Sequence, residues 1–227
     1  MPPKPTTADE SASDERAADE RAAAPPRVLL VHGIWNAKAW LAPFALRLRR
    51  EGLAPSLFGY ASVWGEPERA QERLIAYLRR HPVERLVGHS LGGLVILEAL
   101  RRAPDLPVQR VVCLGSPLRG SAVAGAIGQR PPFSVLLGRS RGILETGCPP
   151  WSGPAAVGVV AGDRPRGVGG WFAPMQPASD GTVNLDETRL DGLTDHCTVP
   201  ASHSGLVMSV DAARQTAAFL RRGRFDR

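Results

Sequence analysis

Between residues 83 and 102 the chain passes from a short apolar run (83–87), through Gly88-His89-Ser90-Leu91-Gly92-Gly93, into a run with helical spacing (91–102). A strand, a tight turn carrying a serine and a helix follow one another with no linker, and this constrains the fold more than any other feature. A serine on a sharp strand-to-helix turn is held in a strained backbone conformation with its hydroxyl pushed clear of the sheet. The residues two before and two after it approach each other, so both must be small, and Gly88 and Gly92 meet that need. The helix that follows points its N-terminus, with its spare backbone N–H groups, at the serine.

Gly-x-Ser-x-Gly alone is common enough to arise by chance, and the chain holds a second copy, Gly138-Arg139-Ser140-Arg141-Gly142. That copy also follows apolar residues (135–137), but only residues 143–146 separate it from Gly147-Cys148-Pro149-Pro150, too few for a packed helix. It reads as a loop.

The rest of the chain supplies the context. Residues 27–31 read as a buried strand leading into His32-Gly33-Ile34-Trp35. Residues 39–51 have helical spacing (Trp40, Phe44, Leu48) and stop at Gly52. A strand interrupted by Pro55 is expected at 53–60, and a helix at 66–80 with Leu74, Ile75 and Leu78 facing inward. Strands are expected at 83–87, 108–114, 155–161 and 197–199, and helices at 91–102 and 210–222. Residues 118–153 are Gly/Pro-rich, and 162–181 form a long loop. Alternation of strands with helices predicts an α/β fold, a doubly wound and mostly parallel sheet of about six strands. Function in such sheets collects at the carboxyl ends of the strands. His32, Ser90, Ser116, Asp163 and Asp180 all follow predicted strands or sit in the next loop.

At 227 residues, 43% of them hydrophobic, the chain suits one domain with a sizeable core. Residues 1–26 stand apart. They repeat Asp-Glu-Arg-Ala-Ala at 14–18 and 19–23 between prolines, and read as a disordered tail ahead of a domain at 27–227. The tail carries three basic and six acidic residues; with a whole-chain charge of +6, residues 27–227 carry about +9. Twenty-six of the 28 basic residues are arginine. They are scattered through helix-like segments rather than clustered with aromatics, which argues for solvated helix faces and against a nucleic-acid partner. No apolar run is long enough for a membrane span, and none near the N-terminus suits a signal peptide. Cys113, Cys148 and Cys197 are an odd number without metal-like spacing, as expected of reduced thiols in a cytoplasm.

A serine hydroxyl needs a base to be a nucleophile at neutral pH, and the base needs an orienting acid. His203, in a loop after the last strand and before the last helix, is the candidate base. His81 ends a surface helix, His196 begins a strand, His32 precedes a turn, and an elbow at Ser90 would point His89 away. For the acid, Asp180 lies in a turn sequence and Asp163 at a strand end. An oxyanion would be received by two backbone N–H groups, those of Leu91 and Ile34. Trp35 and Leu118 are candidate substrate-binding residues, with Trp171 as a further one. No metal or organic cofactor is implied.

Taken together, these segments resemble the α/β-hydrolase superfamily and, within it, small bacterial lipases and esterases. Val-His-Gly-Ile at 31–34 resembles their oxyanion strand, and residues 88–93 their nucleophile elbow. Residues 115–121 are similar to a Thr/Ser-Pro-His-x-Gly-Ser loop of that group, with Leu118 in place of histidine. Ser-Asp-Gly-Thr-Val at 179–183 and Ser-His-Ser-Gly at 202–205 resemble their acid and base segments. The resemblance covers about residues 27–222. It implies a minimal α/β-hydrolase without a large cap domain, because the insertion-like stretch at 118–153 has room for no more than a compact helix or two. It implies the triad Ser90, Asp180 and His203, in the chain order of that fold. The 23-position gap between acid and base favours Asp180 over Asp163. The implied activity is that of a cytoplasmic carboxylesterase on small-molecule esters with short or medium acyl chains. A thioesterase or peptidase with the same triad, and a non-catalytic binding protein on the same fold, are the rival readings.

Overall fold

A computed structural model describes residues 24–167 and 169–227. The expected tail therefore lies almost wholly outside the described residues. Six strands form one sheet: β1 (Arg27–Val31), β2 (Ala54–Phe58), β3 (Arg85–His89), β4 (Arg110–Leu114), β5 (Ala156–Gly162) and β6 (Asp195–Val199). Their order is β2-β1-β3-β4-β5-β6, and every pairing is parallel. The sheet is thus wholly rather than mostly parallel, as expected where each strand returns through a helix.

Parallel sheets need both faces covered, so their strands read as unbroken apolar runs. In β1 and β4 only the first residue escapes burial. Alternate side chains then serve two cores. Leu29, Val31, Leu86, Val111 and Val157 pack under α2 (Pro67–Arg80) and α3 (Leu91–Arg102). Val28, Leu30, Val87, Val112 and Val160 pack on the opposite face under α1 (Ala42–Arg50) and α6 (Val210–Arg222), around Phe44 and Phe219.

Where element boundaries depart from expectation, the cause is local chemistry or pairing. The helix expected at 39–51 begins as a 3₁₀ turn, Lys38–Leu41, and becomes α-helical only at Ala42, because Pro43 suits the first turn of a helix and not its interior. Strand β2 tolerates Pro55 because it is an edge strand, paired only with β1. Strand β3 begins two residues later than expected and runs to His89, since its ladder with β4 continues to His89 opposite Leu114. Strand β6 takes in Asp195 and His196, polar residues that pair with Gly158 and Val159 at the other edge.

The stretch 118–153 holds two short helices, α4 (Ala122–Gly128) and α5 (Arg141–Thr146), with 3₁₀ turns between them. The second Gly-x-Ser-x-Gly copy is therefore not a loop: a 3₁₀ turn at Gly138–Ser140 runs straight into α5. Short helices need tertiary support that sequence length alone does not reveal. Ser140 is buried and donates its hydroxyl to the Ser62 carbonyl at 2.8 Å, a structural contact. Among the described residues, no helix is long and apolar enough to cross a membrane.

Candidate active site

Strand β3 ends at His89, Ser90 makes the turn, and α3 starts at Leu91. Ser90 has φ 54° and ψ −123°, one of two non-glycine residues among those described with positive φ. Such a conformation persists only when its surroundings over-determine it. Here the surroundings are tight. A Cβ on Gly88 would lie 2.4 Å from the Gly93 nitrogen, and one on Gly92 would lie 2.3 Å from the Val31 carbonyl oxygen. The two glycines let α3 start directly over the ends of β3 and β1.

The other positive-φ residue is Trp35, at φ 60°. It belongs to the turn after β1, which abuts the elbow: a Cβ on Gly33 would sit 2.9 Å from the Ser90 Cβ. The backbone N–H groups of Ile34 and Leu91 have no hydrogen-bond acceptor among the described residues. Leu91 is the first residue of α3, whose leading amides have no acceptor within the helix.

Asp180 and His203 come together from loops after β5 and β6. His203 Nδ1 lies 2.7 Å from Asp180 Oδ2, and the His203 amide donates to the Asp180 carbonyl at 2.9 Å. The other carboxylate oxygen of Asp180 accepts from the Thr182 and Val183 amides at 2.9 and 2.7 Å. The Asp-Gly turn is thus structural through one oxygen and faces the imidazole through the other. A carboxylate only accepts, so Nδ1 carries the proton and Nε2 keeps a lone pair. Burial works to lower the His203 pKa, but the charge and hydrogen bond of Asp180 outweigh it, and the net shift is upward. Gly115, at φ 59°, lies under the pair: a Cβ there would meet Asp180 Oδ2 and His203 Nδ1, each at 3.3 Å. Asp163 takes no part; it is exposed at the end of β5 and faces Arg164 at 3.7 Å.

Ser90 and His203 line one cavity of about 300 Å³ without a direct hydrogen bond between them. Its apolar wall comes largely from the insertion: Val123, Ala124 and Ile127 on α4, Leu137, and Leu144 on α5. Trp35 lines it, while the exposed Trp171 does not. Leu118 does not line it either. It is fully buried in the core, where its carbonyl accepts from the Cys148 amide, because the chain after β4 turns inward before it rises into α4.

A sequence model of the alpha/beta hydrolase family matches residues 28–224, nearly all of the described chain. The chain belongs to the alpha/beta hydrolase family. No curated protein matches it closely enough to count as a relative. Among solved structures it is similar to a pyrethroid hydrolase from Sphingobium faniae (TM-score 0.58, 15% identity, 87% of this chain and 98% of that one). It is also similar to an extracellular alpha/beta-hydrolase from a Paenibacillus species (TM-score 0.52, 14% identity, 89% and 100%). A third is a thioesterase domain from the curacin biosynthetic pathway (TM-score 0.51, 17% identity, 87% and 91%). At these identities the likeness is one of fold.

Within this family member the other histidines have separate surroundings. His89 is not turned away from the site, as expected from its place beside Ser90. It is buried, lines the cavity, and packs its ring 5.0 Å from that of His203. Its Nε2–H donates to the His203 carbonyl at 3.3 Å, since β3 extends far enough to carry it to the carboxyl edge of the sheet. Burial, aided by the His203 charge, pushes its pKa down to about 3, so it stays neutral. His32 stacks on Tyr60, whose hydroxyl donates to the His32 carbonyl at 2.9 Å and anchors the turn after β1.

Two features escaped the reading of the sequence although local signals mark them. Ser121 caps α4, its hydroxyl accepting from the Ala124 amide at 3.2 Å, and Val123 and Ile127 follow at helical spacing. Asn184 and Glu187 form a capping box, and Glu187 also accepts from the Ala122 amide at 2.8 Å. That carboxylate ties the loop after Asp180 to the first helix of the insertion.

Proposed function

We propose that the chain is a serine carboxylesterase acting on short- to medium-chain esters through Ser90, His203 and Asp180. The observation that carries the reading is a strained serine sharing one cavity with an imidazole whose far nitrogen is held 2.7 Å from a buried carboxylate. In this reaction Ser90 Oγ attacks the ester carbonyl and passes its proton to His203 Nε2. Asp180 holds the ring in the required tautomer and stabilises the imidazolium. The amides of Ile34 and Leu91 receive the oxyanion, each such donor being worth about 3–4 kcal/mol. His203 then protonates the departing alcohol, and water attacks the acyl-enzyme along the reverse route. The resting site lacks the serine–histidine hydrogen bond; in hydrolases such contacts tighten when substrate enters.

The apolar wall of the cavity supports an acyl group there, with the alcohol toward the open side. The test is hydrolysis of p-nitrophenyl acetate, butyrate, octanoate and palmitate. Octanoate or shorter should be preferred, Ser90→Ala should abolish turnover, and Ser140→Ala should leave it near wild type. Inactivity on the whole panel, or activity that survives Ser90→Ala, would refute the proposal. An acyl thioester run beside the panel separates the thioesterase reading, which uses the same groups. The three cysteines are free thiols, consistent with a cytoplasmic location, and burial pushes the Cys113 thiol up to about 12.

A further inference from the structure

Six of the ten large hydrophobic side chains that are exposed among the described residues gather in one neighbourhood. They are Trp35, Trp64, Phe133, Val135, Leu136 and Trp171, between 45% and 78% exposed. Contacts link them. Trp35 Nε1 donates to the Leu136 carbonyl, and Trp64 shares a shallow groove with Val135. Phe133 packs edge-to-face on Phe172, the neighbour of Trp171, with centroids 5.8 Å apart. The loop that bears Trp64 is fixed to the insertion, since the Arg139 amide donates to the Val63 carbonyl at 2.9 Å and Ser140 to the Ser62 carbonyl. Contiguous exposed apolar surface of this kind marks an interaction site, whereas single exposed residues do not.

The charges around it say what it fits. The segments 61–66, 129–146 and 163–172 contain five arginines and three acids. Each acid faces an arginine: Glu66 with Arg139 at 2.7 Å, Glu145 with Arg141 at 2.7 Å, and Asp163 with Arg164 at 3.7 Å. Arg130 and Arg166 are exposed and have no ion-pair partner among the described residues. Three indole rings, with two unpaired arginines on the chain segments that bear Phe133 and Trp171, match the interfacial zone of a membrane. Amphipathic rings lodge at the headgroup level there, and arginine meets anionic lipid. We propose that this face, beside the mouth of the cavity, docks the protein on an anionic lipid bilayer without inserting a span. Neither an apolar contact nor an electrostatic one alone holds a protein firmly on a membrane, and this face supplies both.

The test is co-sedimentation of the full chain with vesicles of phosphatidylglycerol and phosphatidylcholine, against vesicles of phosphatidylcholine alone. Binding to the mixed vesicles should be at least about tenfold stronger, should weaken as salt is raised, and should shift tryptophan emission to the blue. The double variant Trp64→Ala/Val135→Ser should lose about tenfold in partition while cleaving soluble p-nitrophenyl acetate as before. Neither residue lines the cavity, so the two readouts are independent, and failure of the esterase proposal would leave the vesicle result standing. Arg130→Glu/Arg166→Glu should remove the preference for anionic vesicles. The proposal is overturned by no sedimentation, by equal binding to both vesicle types, or by a double variant that binds like wild type. It is also overturned if the free protein is a dimer that the double variant dissociates, which would assign the face to a second copy.

Discussion

At the scale of single residues, the site turns on how one carboxylate is shared. Asp180 satisfies its own turn with one oxygen and His203 with the other. Asp180→Asn keeps the turn acceptor but presents the wrong group to Nδ1, so kcat should fall by about 10⁴-fold with little change in Tm. Asp163→Asn should cost far less; the reverse ranking in steady-state assays would move the acid to the end of β5. The raised pKa of His203 sets the pH profile. In the proposed mechanism His203 works as the neutral base, so activity should rise with pH along a limb centred above the ordinary histidine value of about 6.5, then level off. A kcat/KM profile flat from about pH 5 to 8 would exclude histidine as the base. Gly115 belongs at this scale too. Gly115→Ala would strain a left-handed backbone, clash with Leu206 Cδ1 at 2.6 Å and press on both members of the pair at 3.3 Å, and should lower kcat more than it raises KM.

At the scale of elements, the insertion supplies most of the cavity's apolar wall. Helix α4 presents Val123, Ala124 and Ile127 to it, and Glu187 fixes the start of that helix to the loop after Asp180. On the proposed reading, a bulkier side chain on this face shortens the space for an acyl chain without touching Ser90 or His203. Ile127→Trp should therefore lower kcat/KM for octanoate by about tenfold or more relative to acetate. An unchanged chain-length profile would place the acyl group elsewhere. The same insertion carries Phe133, Val135 and Leu136, so one segment both walls the cavity and forms part of the exposed apolar face.

At the scale of the whole molecule, burial of neutral histidines links stability to pH. His89 is pushed down to about 3 and His196 to about 4, in each case mainly by burial. A base with a depressed folded pKa takes up its proton in the unfolded chain first. Its contribution is therefore complete above about pH 6.5 and is lost as pH falls toward the folded value. His203 acts oppositely. Its raised value gives stability that is full below about pH 6.5 and is lost as pH rises through the folded pKa. With two lowered strongly and one raised, Tm should fall on going from about pH 7 to 4.5, and His89→Gln should flatten part of that slope. A Tm that rises toward acid would contradict the buried, neutral state of His89.

The sheet's class and the local chemistry of the elbow are written in the chain. Unbroken apolar runs separated by helical spacing leave few alternatives to a parallel sheet covered on both faces. Glycines two before and two after a serine have a steric reason that sequence alone expresses. Helices α3 and α6 were legible to the residue because their apolar spacing and their stops are local. Other features emerge only on folding, because they depend on partners distant in the chain. The extent of β3 and β6 follows from ladder pairing. The inward turn that buries Leu118 and the approach of His89 to His203 follow from packing, as does the support that makes 138–146 helical. The 23-position gap already favoured Asp180 over Asp163, but the contact itself, one carboxylate oxygen 2.7 Å from the imidazole and the other held by its own turn, comes from a loop fold that spacing in one dimension does not encode.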